Sequence, residues 1–279
     1  TIPTETKVYT IAEGGNYELL GGNYGRIEIN MTDTTKPVNI TIKGNVAETL
    51  DDPLFNVTNA GVVNIVNEGY DVDCSGKHVM YERDAGAQVT ITGGQYKSTS
   101  LNIIMVHAGT LTVNDAKMES DCYSIYVGSS GVATVNGGEY TYSSTANDRS
   151  AFYGGTITLN NVTANSTGTV LKLANSTAIV NGGNFKSIGS KSCFVLSASS
   201  LTINEGTTTK GEFESESASC INNRGFVEIN GGTFTSGAES TIYNRGGLRM
   251  TDGTVTNTKA DGVVIDASGN YGDIKLIGG

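Results

Sequence analysis

The chain has 279 residues, of which 37% are apolar, and a formal net charge of −10. This negative balance disfavours nucleic acid as a partner, because polyanions are bound by basic stripes. No apolar stretch approaches the roughly 18 residues of a membrane-spanning segment, so we expect no membrane insertion. The 37 Gly residues, with 3 Pro and no Trp, indicate short strands joined by tight turns that need positive φ.

The N-terminal part of the chain departs from the pattern that follows it. It contains the phrase GGNY twice, at residues 14–17 and 21–24. We predict that residues 1–37 form an N-terminal cap and a first coil, which shields an open strand edge. Residues 38–279 are predicted to form one continuous domain, beginning with the alternating apolar segment at 38–42.

A phrase of about ten residues recurs from residue 89 to residue 257, as in VTITGGQYKS and AIVNGGNFKS. The gaps between its matching apolar anchors are 22, 22, 24, 21, 23, 26 and 21 residues. A period of this size predicts stacked supersecondary units that bury their apolar faces against one another. The anchors are Ile91, Val113, Val135, Leu159, Val180, Ile203, Ile229 and Met250.

Each repeat contains three short apolar segments and no helical period. An apolar–polar–apolar triplet is followed by Asn or Gly-Gly, an aromatic or apolar residue, and a third apolar burst. This pattern predicts an all-β, right-handed parallel β-helix of about ten coils, each of roughly 22–23 residues with three strands. A leucine-rich repeat would need a regular leucine frame, and a propeller would need about 40 residues per blade.

Two columns of equivalent residues are predicted to stack along the coils. Stacked Asn side chains bond to their neighbours and satisfy turn backbone groups, while the aromatic column shares the inward face of the anchors. A row of Thr at the middle position of the triplet is a feature of ice-binding proteins. Here Ile179, Glu228 and Arg249 interrupt the row, which argues against that function. The Asn column comprises Asn114, Asn136, Asn160, Asn181, Asn204 and Asn230, and the aromatic column Tyr96, Tyr140, Phe185 and Phe234.

The four cysteines contain no CxxC spacing, which disfavours a zinc or redox motif. Cys74 and Cys122 are predicted to lie two coils apart, too far for a disulfide. Cys193 and Cys220 precede equivalent strands in adjacent coils, so a disulfide between them is possible. We favour buried free thiols, because Cys behaves as a small apolar residue in a core.

The outward position of the third strand carries several aromatic and polar residues. Exposed Tyr on a flat sheet can stack against a sugar or a protein partner, and Tyr is frequent at binding hot spots. The alternative is that these are scattered surface aromatics without a function. The predicted binding residues are Tyr126, Tyr153, Lys172 and Tyr243, and the same column includes Val195 and Asn222.

A repeated NRG phrase places Arg224 and Arg245 one coil apart. Two like charges at this spacing are unfavourable unless they are paired or hydrated. We expect them to pair with Glu228 or Glu239, and an anion site is the alternative. A second expectation is that Glu228 forms a surface ion pair with Arg249 on the neighbouring strand.

Carboxylates between residues 71 and 121 offer a possible catalytic set. Asp71 and Asp73 follow Ile65 by six and eight residues, and Glu119 and Asp121 follow Val113 by the same intervals. We expect them to form two shared columns, with Lys97 in the coil between. Acid and base groups of an inverting glycosidase lie roughly 6.5–9.5 Å apart. Asp73, Glu119 and Asp121 are therefore the catalytic candidates if the chain is an enzyme, and the same four carboxylates could ligate calcium.

The coil pattern and the Asn column over residues 38–277 resemble the right-handed parallel β-helix superfamily that includes pectate lyases and polygalacturonases. The NTD, DD, GHG and RIK elements of polygalacturonases are absent, and the calcium-binding Asp set of pectate lyases cannot be assembled. The VNGGxF/Y-x-S phrase is similar to repeat regions of surface proteins of Gram-positive and gut bacteria, which are thought to act as adhesins or stalks.

This resemblance implies a secreted or cell-surface bacterial module without a cofactor, which binds a glycan or a host protein. A polysaccharide lyase or glycoside hydrolase of the pectate-lyase-like type is the alternative. Enzymes on this fold generally build a cleft from long loops, whereas the largest departures from the repeat, at 144–150 and 207–212, are only about four residues long. The sequence indicates no oligomeric state.

Overall fold

A computed structural model describes residues 1–48, 53–144, 146, 149–268 and 273–277. The described residues form strands and turns without a helix, and the described strand pairings are parallel. The strands stack as a β-solenoid of about eleven turns, which confirms the predicted parallel β-helix. The chain divides into two compact units, unit 1 (Thr1–Glu139) and unit 2 (Tyr140–Gly279).

Unit 1 is built from short strands that rarely exceed six residues, and β17 (Glu139–Tyr142) contains the boundary between the units. Its strands are β1 (Tyr9–Ile11), β2 (Gly15–Leu19), β3 (Gly22–Tyr24), β4 (Ile27–Asn30), β5 (Val38–Ile42), β6 (Val46–Glu48), β7 (Phe55–Asn59), β8 (Val62–Asn67), β9 (Asp71–Asp73), β10 (Met80–Glu82), β11 (Gln88–Thr92), β12 (Gln95–Ser98), β13 (Ile104–Val106), β14 (Thr110–Asn114), β15 (Lys117–Ser120) and β16 (Ile125–Asn136).

Every third strand of unit 1 pairs in parallel, so the unit has three sheets. The first sheet, which carries the triplets, runs through β2, β5, β8, β11, β14 and the end of β16. The second sheet runs through β3, β6, β9, β12 and β15. The third sheet runs through β1, β4, β7, β10, β13 and the start of β16.

Unit 2 has longer strands, because several of them continue through a bend from one sheet to the next. Its strands are β18 (Ser150–Ser166), β19 (Thr169–Ala174), β20 (Thr177–Ser187), β21 (Phe194–Asn204), β22 (Gly211–Ser215), β23 (Ile221–Ser236), β24 (Ser240–Asn244), β25 (Gly247–Asn257), β26 (Val263–Asp266) and β27 (Ile274–Leu276). Its third sheet pairs β19 with β18 and β21, and continues through β23, β24 and β26.

Residues near the N-terminus take part in the parallel ladders of unit 1. Strand β1 pairs with β4, and Gly15–Leu19 of β2 pairs residue by residue with Val38–Ile42 of β5. The backbone amide of Ile2 donates to the carbonyl of Glu18 at 2.8 Å. The predicted division of the chain at residue 37 stays a prediction.

The predicted Asn column forms hydrogen-bonded ladders in both units. In unit 1, Asn136 Nδ2 donates to Asn114 Oδ1 at 2.9 Å. In unit 2, the same bond joins Asn181 to Asn160 at 2.7 Å, Asn204 to Asn181 at 2.8 Å and Asn230 to Asn204 at 3.1 Å. A further ladder that the sequence analysis missed joins Asn16, Asn39 and Asn64 at the middle triplet position.

The aromatic column of unit 2 is a continuous stack in the core. Phe213 lies parallel to Phe185 at 5.4 Å and to Phe234 at 4.6 Å between ring centroids, and Phe194 packs edge-on against it. The spacing of the repeat does not predict Phe213, because it follows its anchor Ile203 by 10 residues, whereas Phe185 follows Val180 by 5. Stacked and edge-on aromatic contacts stabilise a core beyond the burial of their area.

We predict that Phe213→Ala lowers the free energy of unfolding of unit 2 by about 3–5 kcal/mol, since it opens a cavity between two stacked rings. The matched control is Phe226→Ala, because Phe226 is 45% exposed whereas Phe213 is 2% exposed. Denaturant unfolding of both variants measures the difference. Equal losses of stability would contradict the assignment of Phe213 to the core.

Candidate functional site

The outward face of the third sheet in unit 1 presents three large side chains in one column. Tyr81 of β10 pairs with Met105 of β13, and Met105 pairs with Tyr126 of β16. All three are half-buried. Neighbouring parallel strands lie about 4.8 Å apart, so these side chains form a row along the coil axis.

More aromatic and cationic groups flank this row. The Tyr123 ring contacts the Tyr126 ring edge-on at 5.4 Å between centroids, and the His78 ring contacts Tyr81 at 5.5 Å. The Arg83 guanidinium lies over the Tyr81 ring, 4.1 Å from its centroid. We call Tyr81, Met105, Tyr123 and Tyr126 the tyrosine platform.

Of the platform residues, only Tyr126 is predicted from the sequence as a binding residue. Tyr81 precedes Met105 by 24 residues and Met105 precedes Tyr126 by 21, which are intervals of the repeat. Following the third strand back by one period at a time would therefore have found Tyr81. The clear phrase begins at residue 89, and Tyr81 lies before it.

A carboxyl group lies directly beneath the platform. Glu82 points inward between Val57 and Val106, in a column of the core, and is 0% exposed. Neither of its oxygens forms a hydrogen bond of normal geometry with the described residues, although the backbone amides of Asp84 and Ala108 lie close to it. Burial, and less strongly the charge of Asp84, raises the pKa of Glu82 to about 7.

The backbone beside Glu82 leaves no room for another side chain. Gly109 has a φ of +43°, and a Cβ at this position would lie 2.9 Å from the Glu82 carboxyl carbon. The carboxyl group is therefore enclosed by the chain, and its ionised form has lost its hydration.

We predict that unit 1 loses stability as the pH rises from about 4.5 to about 7. The folded state holds the Glu82 proton up to about pH 7, whereas the unfolded state releases it near the ordinary value of 4.5. Protons therefore favour folding in this window, and the loss above it is roughly 3 kcal/mol, at about 1.4 kcal/mol per pH unit.

Glu82→Gln removes this titration while keeping the shape of the protonated side chain. The variant should match the wild type at about pH 4 and exceed it in stability at pH 8, as measured by denaturant unfolding. Glu119→Gln is the control, since it removes an exposed carboxyl group of the same unit. A wild type and a Glu82→Gln variant that lose stability in parallel would contradict the prediction.

The third sheet of unit 2 carries the other predicted binding residues. Tyr153 pairs with Lys172, Lys172 with Val195, Val195 with Asn222, and Asn222 with Tyr243, so the predicted column is confirmed. All five are half-buried. Tyr153 and Lys172 are neighbours, whereas Val195 and Asn222 separate Lys172 from Tyr243.

Tyr243 does not offer a bare ring. The Arg245 guanidinium lies over it at 4.8 Å from the centroid, as Arg83 lies over Tyr81 in unit 1. The two sites share the spacing Tyr-x-Arg, because alternate residues of a strand point to the same face. Tyr243 therefore positions a cation on the sheet surface.

The expected pairing of Arg224 and Arg245 with glutamates is wrong. Glu228 binds Arg249 at 2.6 Å, as expected for those two, and Glu239 binds Lys259. Arg224 and Arg245 make no salt bridge with the described residues. Glu228 lies on the first sheet, beyond the bend that follows Gly225, and this bend explains why the arginines are not its partners.

Inward-pointing asparagines hold the strands beneath these arginines. Asn223 Nδ2 donates to Asn244 Oδ1 at 2.6 Å and to the Gly247 carbonyl at 2.9 Å, and Asn223 Oδ1 accepts from the Gly225 amide at 2.8 Å. Asn244 Nδ2 donates to the Gly246 carbonyl at 2.8 Å. Both asparagines are buried, so the repeated NRG phrase fixes the backbone on which Arg224 and Arg245 stand.

We predict that Asn223→Ala destabilises unit 2 by about 1–3 kcal/mol, because the Gly225 amide and the Asn244 amide oxygen lose their partner inside the protein. Asn222→Ala is the matched control, since Asn222 is the adjacent residue on the outward face. Thermal unfolding of both variants tests this, and similar melting temperatures would contradict it.

The predicted columns of carboxylates are not as expected. Asp73 pairs with Lys97 and Lys97 with Glu119, whereas Asp71 pairs with Gln95. The register differs by two residues, because the turn at 67–70 is two residues longer than the Gly-Gly turn of the next coil. Asp73 and Glu119 therefore share a column, and Asp71 lies in another.

The three catalytic candidates each contact a structural partner. Asp73 Oδ1 accepts from the amide of Ser75 at 3.0 Å and from its hydroxyl at 2.6 Å. Glu119 binds Lys97 Nζ at 3.1 Å, and Asp121 accepts from the amide of Ser100. Within the described residues, no three His, Cys, Asp or Glu side chains form a group that could hold a metal ion. The catalytic role of Asp73, Glu119 and Asp121 stays a prediction.

All four cysteines are buried free thiols, which confirms the favoured alternative. Burial raises the pKa of Cys220 to about 12 and the pKa of Cys193 well above its ordinary range. Since the thiolate is the reactive form, these side chains serve as core residues. Cys220 Sγ donates to the Thr235 carbonyl at 2.9 Å.

No protein-family model, curated protein or solved structure matches the chain. The fold itself agrees with the resemblance to the parallel β-helix superfamily, and membership of that superfamily stays a prediction. In the residues that the structure describes, there is no helix that could cross a membrane. Of the two departures from the repeat, residues 145, 147 and 148 lie outside the described part.

Proposed function

We propose that this chain is a module of a secreted or cell-surface bacterial protein, which acts as an adhesin or stalk and binds a glycan through the tyrosine platform. The observation that carries the proposal is the row of Tyr81, Met105 and Tyr126 on one flat sheet, widened by Tyr123. Aromatic faces and edges provide apolar contact, while the phenolic hydroxyls can hydrogen-bond to sugar hydroxyls.

The platform is held in place before any ligand binds. Tyr126 packs against Tyr123, and Tyr81 contacts both His78 and Arg83. Rings that are already ordered lose little conformational freedom on binding, so more of the contact energy contributes to affinity. A flat row of this kind fits an extended ligand that lies along the coil axis.

The contacts of the candidate carboxylates favour binding over catalysis. Asp73 and Asp121 accept hydrogen bonds from nearby amides, and Lys97 neutralises Glu119. A polysaccharide lyase or hydrolase that uses these three side chains is the second candidate, because Asp73 and Glu119 share a column two coils apart. A host protein is the alternative ligand for the platform.

We predict that Tyr81→Ala combined with Tyr126→Ala weakens glycan binding at least tenfold, which corresponds to about 1.4 kcal/mol. The experiment is a screen of neutral and acidic glycans against the wild type, followed by calorimetric titration of the variants with the best ligand. Tyr70→Ala is the matched control, since Tyr70 is a half-buried tyrosine of unit 1 outside the platform.

Assays for reducing ends and unsaturated products on the same polysaccharides test the second candidate. Binding without turnover supports the adhesin. Turnover by the wild type that is lost in Asp73→Asn and Glu119→Gln would overturn the adhesin proposal and support a polysaccharide-cleaving enzyme. Unchanged affinity of the double tyrosine variant would exclude the platform as the binding site.

A further inference from the structure

Two arginines stand next to one another on the third sheet of unit 2. The pairing of Asn223 with Asn244 brings Arg224 beside Arg245 in the next coil, and the Arg245 amide donates to the Asn223 carbonyl at 2.8 Å. Both side chains are exposed. Parallel coils lie about 4.8 Å apart, so two cationic residues occupy equivalent outward positions one coil apart in a chain with a net charge of −10.

The acidic residues of unit 2 that lie near this pair have other partners. Glu228 binds Arg249, and Glu239 binds Lys259. Asp266 follows Tyr243 in the adjacent coil and accepts hydrogen bonds from Ser268, which lower its pKa, with a smaller contribution from the charge of Arg245. Asp266 is not within salt-bridge distance of Arg245, and neither arginine forms a salt bridge with a carboxylate of the described residues.

Two interactions fix the positions of Arg224 and Arg245. The Tyr243 ring supports the Arg245 guanidinium, and the buried Asn223–Asn244 bond fixes the two strands. Like charges at this spacing are unfavourable, and a bound anion would relieve their repulsion. A guanidinium donates through a planar fork that matches carboxylate and sulfate-like oxyanions.

We propose that Arg224 and Arg245, supported by Tyr243, form a site for the acidic groups of a glycan that carries carboxylates or sulfates. This inference rests on the proposed function, since it names the ligand class of a glycan-binding module. Outward positions next to the pair carry Asn222 and Ser197, whose polar side chains can bond to sugar hydroxyls. Two cations repeated at the coil spacing favour a polymer with recurring acidic groups over a small anion.

The test compares Arg224→Gln/Arg245→Gln with the wild type in calorimetric titrations. The probes are a uronate oligosaccharide, a sulfated oligosaccharide, a neutral oligosaccharide and a glutamate-rich peptide of equal charge. Arg249→Gln is the matched control, because it removes an arginine of the same unit that is already paired with Glu228.

We expect the double variant to bind the acidic oligosaccharide at least tenfold more weakly, and Arg249→Gln to change its affinity less than about twofold. Affinity for the uronate or for the sulfated probe identifies which acidic group is bound. The wild-type affinity should fall as salt is added, since the contact is between charged groups.

A second readout separates this role from a structural one. Without a ligand, Arg224→Gln should melt at the same temperature as the wild type or higher, because it removes a like-charge contact. Sodium sulfate should raise the melting temperature of the wild type more than that of the double variant. Destabilisation of the free protein by Arg224→Gln would instead assign the arginines to the fold and overturn the proposal.

Three other results would also overturn it: no binding of either acidic oligosaccharide by the wild type, equal binding by the double variant, or equal affinity for the glutamate-rich peptide. The outcome is distinguishable from failure of the proposed function, because the platform lies in unit 1. The tyrosine double variant could lose neutral-glycan binding while the arginine double variant binds acidic glycans as well as the wild type does. This outcome would support the proposed function and exclude the arginine site.

Discussion

The parallel register between successive coils is the constraint on which the rest of this structure depends. Each strand bonds to the equivalent strand one coil away, at about 4.8 Å, so a residue at a given position must lie against its counterpart. The register therefore favours residue types whose side chains interact favourably with an identical side chain in the next coil. Asparagine does so through amide ladders, and phenylalanine does so through stacked rings.

The same register also reveals residues whose chemistry differs from that of their counterparts in the neighbouring coils. An inward position is occupied by aliphatic side chains in coil after coil, yet Glu82 takes this position between Val57 and Val106. Neither valine can hydrogen-bond to its carboxyl group through a side chain, and burial raises the pKa of Glu82. Arg224 and Arg245 show the outward version of this conflict, since the pairing of Asn223 with Asn244 sets two cationic residues one coil apart. In a repeat protein, such conflicts mark the residues that the fold alone does not explain.

The architecture could be predicted from the sequence because the anchors are few and strictly spaced. Their spacing specifies the coil, and the alternation within each triplet specifies which side chains face inward. The columns were less predictable wherever a turn changed length. Two extra residues at 67–70 moved Asp71 out of the column of Glu119, and five extra residues between Ile203 and Phe213 moved Phe213 away from its expected position. Turn length follows from local backbone geometry, which residue counting from an anchor does not capture.

The surface groups were the least predictable, and the reason lies in the side chains themselves. The spacing in the sequence predicts that Tyr243 and Arg245 lie on one face. Only the structure shows that the guanidinium lies over the ring. The same arrangement at Tyr81 and Arg83 indicates that Tyr-x-Arg is a local device for holding a cation on a β-helix face. It requires only an outward tyrosine and an outward arginine two residues later, so a coil can acquire it without any change to the core. A solenoid of this kind can therefore change the chemistry of its outward surface by substitution while its inward ladders stay constant.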